Sequence, residues 1–417
     1  MRPQWLNKSG CFADFESMDQ LELPPAIADG VHSYLLGDEL LLFSQHQGSL
    51  FRLNPSAALI WFCCEEGLSR RGIIAELRRL FNLPAARAEK DVDATLAEWE
   101  TRGLLGAAND SLIAVDDEHN VEGTARELPT PASVVDNYPR ERRYQLLETV
   151  FRVRFSASEL EPLAQAVFAH LSTSDRQPFH LTLDVQLDER GYFLFCDGML
   201  VEHCASAREL PPLLHGQALL NAYSRADCLT AIHAAAISKG DVCIVLPANS
   251  GSGKSTLTAA LVASGYGYCT DELVLLKQHS HSIQAASTAI GIKSGAWPVL
   301  QSFHPGLAGL PVCLRQDSKQ VRYLLPARQV LRENTAQSHL LHSLVFPRYR
   351  PASDTQLRQI TPADALCRLT EAGYDVNGGL SAERVTELVD WITTVSCFEL
   401  HFHDLHEAVA RIGALMK

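Results

Sequence analysis

The chain has 417 residues, of which 46% are hydrophobic and 20% are charged, and its formal net charge is −13. This length predicts two or three domains, and the acidic balance argues against a nucleic-acid partner, because such proteins usually carry a basic face. No stretch reaches the roughly 18 apolar residues of a membrane span, and the N-terminus lacks the apolar run of a signal peptide. The eleven cysteines show no zinc-like spacing. We therefore expect a protein of the reducing cytoplasm, without a membrane or nucleic-acid partner.

Three segments typical of β-strands open the first region, which covers about residues 25–106. They are Val31–Leu36, Glu39–Ser44 and Ser49–Leu53. Three helical segments follow. The first begins at Asn54-Pro55, which supplies an N-cap and a proline at the first helical position. The second begins around Ser69, and the third ends at Gly103. Strands followed by three short helices predict a small α+β or winged-helix domain.

Residues 107–137 differ from the regions on either side, because they are polar, acidic and interrupted by prolines. This composition predicts a linker or an extended arm. The third region, about residues 140–417, mixes strand and helix patterns. Residues 192–195 are typical of a strand and Leu210–Tyr223 of a helix.

The strongest chemical signal in the chain begins at residue 242. Residues 242–246 form an unbroken apolar run, as expected of a strand that is buried on both faces. A glycine-rich loop follows at once, and then an apolar pattern typical of a helix that ends near Gly265. A strand, a glycine loop and a helix in this order are the context of a Walker-type phosphate-binding loop. Ala248 departs from the strict pattern, because it stands where the first glycine belongs. A chance glycine–serine turn is the alternative.

The residue types of this loop suit the chemistry of phosphate. Gly251 and Gly253 permit backbone angles that turn N–H groups toward an anion, and the start of the helix adds partial positive charge. Lys254 is placed to reach the β- and γ-phosphates of ATP, and the Ser255 hydroxyl is placed to ligate Mg²⁺. The predicted nucleotide-binding residues are Asn249, Ser250, Gly251, Ser252, Gly253, Lys254, Ser255 and Thr256.

Titratable residues occur on both sides of the loop in the sequence. Asp271 and Glu272 interrupt an apolar run, which predicts that one strand ends and another begins there, at an edge where α/β proteins bind ligands. These carboxylates are candidates to hold a metal ion or to accept a proton, and a solvated turn is the alternative. His233 lies in an apolar segment just before the loop strand. It is either an ordinary core histidine or one that reaches the phosphate site.

Residues 233–276 resemble the kinase core of HPr kinase/phosphorylase and of HPr-kinase-related proteins from peptide-modification gene clusters. The shared landmarks are His233, the loop at 250–255, Gly265-Tyr266 and Asp271-Glu272. This resemblance implies that Asp271 is the base toward a seryl hydroxyl. It also places His233 and Lys254 in the catalytic set, and it puts Glu272 beside Ser255 at Mg²⁺. No counterpart of the family's phosphorylase motif is found, which favours the kinase reaction over its reversal.

Residues 30–105 separately resemble the PqqD-like peptide-recognition domain. The landmarks are the strand pair, residues 53–61, Asp91-Val92 and residues 100–105. This resemblance implies that a leader peptide binds by adding a strand beside a helix. A winged helix that is kept for packing or for DNA contact is the alternative, and the acidic charge speaks against DNA.

Together these patterns predict an α/β protein with two domains. An HPr-kinase-like P-loop domain is expected at residues 138–417, with its nucleotide core at about 230–370. A small α+β winged-helix domain of the PqqD-like type is expected at residues 1–106, and a linker at 107–137. The leading hypothesis is a kinase that uses ATP and Mg²⁺ to phosphorylate a serine or threonine hydroxyl. Its acceptor would be a peptide or small protein bound by the N-terminal domain.

Two other functions stay open at this point. One is a small-molecule kinase that uses the front domain for docking. The other is a non-catalytic adaptor, against which the intact Lys254 and Asp271 argue. Lys293, Arg348 and Arg350 are either cations that neutralise charge in the transition state or ordinary surface residues. A homo-oligomer is compatible with the sequence.

Overall fold

The computed structural model describes residues 23–106, 128–132, 135, 137–327, 339–371, 373–374 and 379–416. These residues form two compact units. The first unit holds the described residues up to 106 together with 361–370 and 379–394, and the second holds the other described residues from 128 onward. The first unit is therefore not one continuous stretch of chain. The predicted linker lies mostly outside the described residues, and the domain boundaries drawn from the sequence stay predictions.

Strands and helices alternate along much of the chain. The strands are β1 (Val31–Leu36), β2 (Glu39–Ser44), β3 (Ser49–Leu53), β4 (Arg140–Leu146), β5 (Thr149–Phe155), β6 (Leu181–Asp188), β7 (Gly191–Cys196), β8 (Met199–Cys204), β9 (Thr230–Lys239), β10 (Val242–Pro247), β11 (Gly267–Thr270), β12 (Leu273–Leu276), β13 (Ser282–Ala286), β14 (Ile290–Lys293), β15 (Cys313–Leu314), β16 (Gln320–Leu324), β17 (His339–Tyr349), β18 (Gln356–Gln359), β19 (Gly373–Tyr374) and β20 (Ser396–Phe402). The helices are α1 (Pro55–Glu65), α2 (Arg70–Phe81), α3 (Ala85–Thr101), α4 (Glu161–Phe168), α5 (Leu210–Tyr223), α6 (Lys254–Ala263), α7 (Trp297–Leu300), α8 (Pro362–Glu371), α9 (Ala382–Ile392) and α10 (Leu405–Leu415). None of the helices in the described part of the chain is both long enough and apolar enough to cross a membrane.

The first unit is built on the antiparallel sheet β1-β2-β3, which confirms the three predicted strands. Helix α1 packs against β2 and β3, and α9 packs against β1. On β1, the Tyr34 hydroxyl donates to the backbone carbonyl of Ala382 at the start of α9, at 3.1 Å. On β3, Arg52 lies 3.5 Å from the Asp364 carboxylate of α8. Two helices from late in the sequence thus contact the sheet formed by the first three strands of the chain.

Capping residues set the helix boundaries of this unit as predicted. The Asn54 side chain accepts a backbone N–H in the first turn of α1 at 2.9 Å, with Pro55 at the first helical position. Ser69 caps α2 in the same way. Gly103 adopts a φ of 62° just after α3 ends. These local signals stabilise helices whose apolar faces pack around Trp61 in the core of the unit.

The second unit begins with a five-stranded sheet in the order β4-β5-β6-β7-β8. Strands β5 and β6 are parallel, and the other neighbours are antiparallel. Helix α4 lies between β5 and β6 in the chain, as a parallel pair requires a crossover connection. The rings of Tyr144, Phe151 and Phe168 pack at centroid distances of 5.2–5.7 Å in the core beneath the sheet.

A mixed nine-stranded sheet follows, and it carries the predicted phosphate loop. Strand β9 pairs with β10 along one edge and with β11 and β12 along the other. Strand β10 also pairs in parallel with β17, which in turn pairs in parallel with β20. Strand β10 therefore lies inside the sheet, and every residue after its first one is buried, which explains its unbroken apolar sequence. Helices α6 and α10 contact each other, and α6 also contacts β14 of a small sheet, β14-β16-β15.

The contact between α10 and the residues after α6 yields a prediction about stability. A Cβ atom on Gly413 would lie 2.3 Å from the hydroxyl oxygen of Tyr266 but 3.6 Å from its ring carbon Cζ. We expect Gly413→Ala to lower the free energy of unfolding by about 1–3 kcal/mol, as overpacking does. The double variant with Tyr266→Phe should recover most of that loss, because the clashing oxygen is gone. Melting temperatures of both single variants and the double variant measure this, and an unrelieved loss in the double variant would contradict it.

Candidate functional site

The glycine loop connects the end of β10 to the start of α6, as the sequence predicts. Gly251 and Gly253 adopt φ angles of 91° and 89°, which favour glycine. A Cβ atom on Gly253 would also lie 3.0 Å from the ring of Phe402. Ala248 is buried and keeps a negative φ. A small side chain is therefore tolerated there in place of the glycine of the strict motif.

Backbone hydrogen bonds attach the loop to the strands on both sides. The Tyr349 N–H at the end of β17 donates to the Ser252 carbonyl at 2.8 Å. The Ala248 N–H donates to the carbonyl of His233 on β9 at 3.4 Å. At the N-cap of α6, Gly253 has no side chain to bond the first N–H groups of the helix. Those groups and the helix dipole are thus available to an anion.

Lys254 and Asp271 are buried together next to the loop. The Lys254 side chain is buried, and its Nζ donates to the backbone carbonyl of Asp271. Asp271 lies between β11 and β12, which confirms that the acidic pair follows one strand and precedes another. Its side chain is 1% exposed, and neither carboxylate oxygen accepts a hydrogen bond from a described residue. An unsatisfied buried carboxyl is costly, and such groups mark candidate functional sites.

Burial dominates the ionisation of Asp271. It raises the pKa of the carboxyl group to about 7, even though the positive charge of Lys254 opposes the rise. The nearby hydroxyls of Ser255 and Thr258 favour the ionised form of Asp271 to a smaller extent. The Thr258 hydroxyl donates its proton to the backbone carbonyl of Lys254, at 2.9 Å, and not to the Asp271 carboxylate. A carboxyl group with a pKa near 7 gains and loses its proton at neutral pH, which suits a general base.

Glu272, the neighbour of Asp271, has the opposite ionisation behaviour. Its Oε2 atom lies 3.2 Å from Nε2 of His233, so the histidine on β9 reaches the acidic pair. Burial alone would raise the pKa of Glu272, but the hydrogen bond with His233 and the charge of Lys254 lower it to about 2. Glu272 is therefore ionised at neutral pH, while Asp271 is partly protonated. Two adjacent carboxyl groups with separated pKa values are suited to different roles.

A cavity of about 970 Å³ opens beside the loop, within the second unit. All the predicted nucleotide-binding residues, from Asn249 to Thr256, line it together with His233 and Glu272. Asp271 is not among the lining residues, because its side chain is covered. Arg348 and Arg350 are exposed and do not line the cavity either. The cavity volume is in the range of sites for small molecules and cofactors.

Several lining residues come from parts of the sequence that gave no signal. Arg315 lies next to β15, and His215 lies on α5. The rings of Phe303 and His406 stack at a centroid distance of 4.5 Å. Lys293, whose role the sequence left open, donates from Nζ to Oγ of Ser250 in the loop at 2.8 Å. Apart from Lys293, no sequence pattern marked these residues, because only the tertiary fold brings their segments to the loop.

The donor set of the cavity fits a nucleotide with Mg²⁺. The loop N–H groups and Lys254 suit phosphate oxygens, and Ser255 and Glu272 offer the oxygen ligands that Mg²⁺ prefers. Within the described ranges, no group of three or more His, Cys, Asp or Glu side chains is arranged to hold a metal ion. Mg²⁺ would therefore depend on phosphate and water for the rest of its ligands, as it usually does.

Comparison with known proteins identifies the front of the chain. Residues 39–105 match the family model of PqqD, coenzyme PQQ synthesis protein D. The predicted PqqD-like domain is thereby confirmed for these residues. No curated protein matches the chain.

Two solved structures are similar to parts of the chain. TbiB1, in complex with the TbiA(beta) leader peptide, is 26% identical, with 19% of this chain and 93% of that chain covered and a TM-score of 0.19. The Hpr(Ser) kinase/phosphatase from Coxiella burnetii is 12% identical, with 44% of this chain and 92% of that chain covered and a TM-score of 0.19.

The environment of Asp271 gives a prediction that does not depend on activity. The carboxyl ¹³C chemical shift of Asp271 should titrate with a midpoint near the pKa of about 7 that its burial causes. Lys254→Met removes the charge that opposes this rise, so the midpoint should move higher. Lys239→Met removes an equal charge at the far end of β9 and should leave it in place. A midpoint near 3.9, the ordinary value for aspartate, would contradict the assignment.

Proposed function

We propose that this protein is a kinase that transfers the γ-phosphate of ATP to a serine or threonine hydroxyl of a peptide or small protein recruited by the PqqD domain. One observation carries the proposal: a single cavity combines the glycine loop, Lys254 and Glu272, with the buried carboxyl of Asp271 behind them. Phosphoryl transfer depends mainly on positioning and on charge stabilisation. The loop and Lys254 supply both, and the two carboxyl groups divide the remaining tasks.

The transfer step uses Asp271 as the proton acceptor. The acceptor oxygen bonds to the γ-phosphorus, the bond from that phosphorus to the β,γ-bridging oxygen breaks, and ADP leaves with the bond electrons. The hydroxyl proton passes to Asp271, which has a large ionised fraction at neutral pH. Because the carboxylate is covered, this role requires that Lys254 leave the Asp271 backbone for the phosphates and that the carboxylate become accessible to the acceptor.

The remaining polar residues orient the reacting groups. Bound Mg²⁺ neutralises charge on the phosphate oxygens in reactions of this class. Ser255 and Glu272 would hold it. His233 bonds to Glu272 and so fixes the orientation of that carboxylate, as partners of metal ligands commonly do.

The PqqD domain supplies the site for the acceptor peptide in this proposal. Its sheet has two outer strands, and β1 is contacted by α9 through Tyr34. The outer edge of β3 has no strand partner among the described residues. A peptide that adds to this edge gains main-chain hydrogen bonds for affinity, and pockets for alternate side chains give selectivity.

Transfer from γ-labelled ATP to candidate peptides, with mass spectrometry of the product, tests the proposal. Lys254→Ala should abolish transfer in a folded protein, because no other residue of the loop is positively charged. Asp271→Asn should still bind Mg·ATP but react about 10²- to 10⁴-fold more slowly, as for loss of a general base. In the wild type, kcat/KM should rise as the pH passes about 7, because only ionised Asp271 accepts a proton.

Three results would count against this assignment. Near-normal transfer by folded Lys254→Ala would remove the role of the loop. Loss of nucleotide binding in Asp271→Asn would remove the role of the base. Phosphorylation of a small molecule but of no peptide would make the protein a small-molecule kinase.

The position of the peptide can be tested in the whole chain by proline substitution in β3. Neighbouring residues of a strand direct their N–H groups to opposite sides. Of Leu50→Pro and Phe51→Pro, one therefore removes a donor from the β2–β3 ladder and the other removes a donor from the outer edge. The ladder variant should lose stability. The edge variant should keep its melting temperature and bind the peptide more weakly, with a higher KM for the peptide and an unchanged kcat. Unchanged peptide binding in a stable edge variant would exclude addition at β3.

A further inference from the structure

Lys293 lies near the loop and forms no ion pair with any described residue. Among the described residues, its Nζ donates only to a neutral hydroxyl, that of Ser250, at 2.8 Å. The side chain lines the cavity. A charged ammonium group placed against a phosphate-binding loop, with a hydroxyl as its partner, is arranged to receive an anion.

The backbone around Lys293 is held in place by its neighbours. Lys293 is the last residue of β14, where it pairs with Val321 of β16. The Trp297 indole N–H donates to the carbonyl of Ile292 at 2.9 Å, and the Arg322 guanidinium lies 4.1 Å from the Trp297 ring centroid. These contacts fix the end of β14, so the lysine reaches the loop from a rigid element. Preorganised charge of this kind is what stabilises a transition state effectively.

Positive charge is in excess around Lys293. Arg315 and Lys319 share one carboxylate, that of Asp317, at 3.4 and 2.9 Å. Burial lowers the pKa of Lys293, and the charges of Arg315 and Lys319 lower it further. Lys293, Arg315 and Lys319 are three cations near two carboxylates, those of Asp317 and Glu272, so one positive charge is left over for an anion. Arg315 also lines the cavity, so the excess charge faces the place where phosphates would lie.

The location of Lys293 indicates which phosphate it would contact. Glu272, the proposed metal ligand, lies close enough to influence its ionisation, and Ser250 belongs to the loop. The group that must lie between the loop, Glu272 and the base is the phosphoryl group in transfer. Arg348 and Arg350, the other candidates from the sequence, are exposed and do not line the cavity.

We propose that Lys293 is a catalytic residue that leaves Ser250 and binds the γ-phosphoryl group as it is transferred, with Arg315 adding to the positive field. This inference rests on the proposed kinase function. Many phosphotransferases use a cation to stabilise charge on the equatorial oxygens of the phosphoryl group in transfer, and Lys293 would supply that cation from within this chain.

Lys293→Met and Lys293→Arg in the full-length protein test this role, with Arg348→Met as the matched control. Loss of one transition-state donor typically lowers kcat about 10²- to 10³-fold, and we expect a drop of this size in Lys293→Met. Its affinity for Mg·ATP should fall about tenfold or more, the scale of one charged hydrogen bond, while its affinity for Mg·ADP should not change. Lys293→Arg should restore most of both quantities, and Arg348→Met should match the wild type.

The results separate this inference from the proposed function. If the wild type transfers phosphate and Lys293→Met behaves like Arg348→Met, or weakens ATP and ADP equally, Lys293 does not contact the γ-phosphoryl group. If the wild type transfers no phosphate from ATP to any acceptor, the kinase function fails. Titration with inorganic tripolyphosphate then judges the anion site by itself. Tighter binding by the wild type than by Lys293→Met supports the site, and equal binding overturns it.

Discussion

The backbone pairing of β9 is the constraint on which the geometry of the site depends. One edge of this strand holds β10, whose end leads into the glycine loop, and the other edge holds β11 and β12 on either side of the acidic pair. His233 lies on β9 itself, so its side chain is placed between these two chemical elements. The residues that follow it, Ala234, Ala235 and Ala236, are small and fully buried. Side chains alternate between the two faces of a strand, and Ala235 belongs to the same core cluster as helix α6, so its small size lets the helix pack closely against β9.

Burial then gives the two adjacent carboxyl groups different properties. Asp271 is covered and has a pKa raised to about 7, whereas Glu272 is bonded to His233 and has a pKa lowered to about 2. Lys254 is near both groups and bonds to the Asp271 backbone. A phosphate that draws Lys254 away and neutralises it would raise the pKa of Asp271 further. In the proposed mechanism, nucleotide binding thus makes the ionised carboxylate of Asp271 a stronger base, while a smaller fraction of it is ionised at neutral pH.

Local signals in the sequence predicted much of this arrangement, and tertiary contacts determined the rest. The caps at Asn54 and Ser69 and the loop between β10 and α6 depend on neighbouring residues, so their patterns are visible in the sequence. The approach of Lys293 and Arg315 to the loop depends on the pairing of β14, β15 and β16, which no short pattern specifies. The sequence did not predict the burial of Asp271 either, because an acidic residue between two strands can lie in a solvated turn as readily as in the interior. The packing of α8 and α9 with the N-terminal sheet is a long-range property of the same kind.

The first unit is built from segments that are far apart in the sequence, and this affects the order in which it can fold during translation. Its sheet is translated early, but the helix that contacts β1 comes from residues 382–392, near the other end of the chain. Domains generally fold as units, from the N-terminus onward, as the chain leaves the ribosome. Here the β1 side of the sheet stays uncovered until the glycine loop and most of the nine-stranded sheet have left the ribosome. A nascent chain therefore cannot complete the first unit before nearly all of the residues around the glycine loop have been synthesised, and a prematurely terminated chain would lack part of both units.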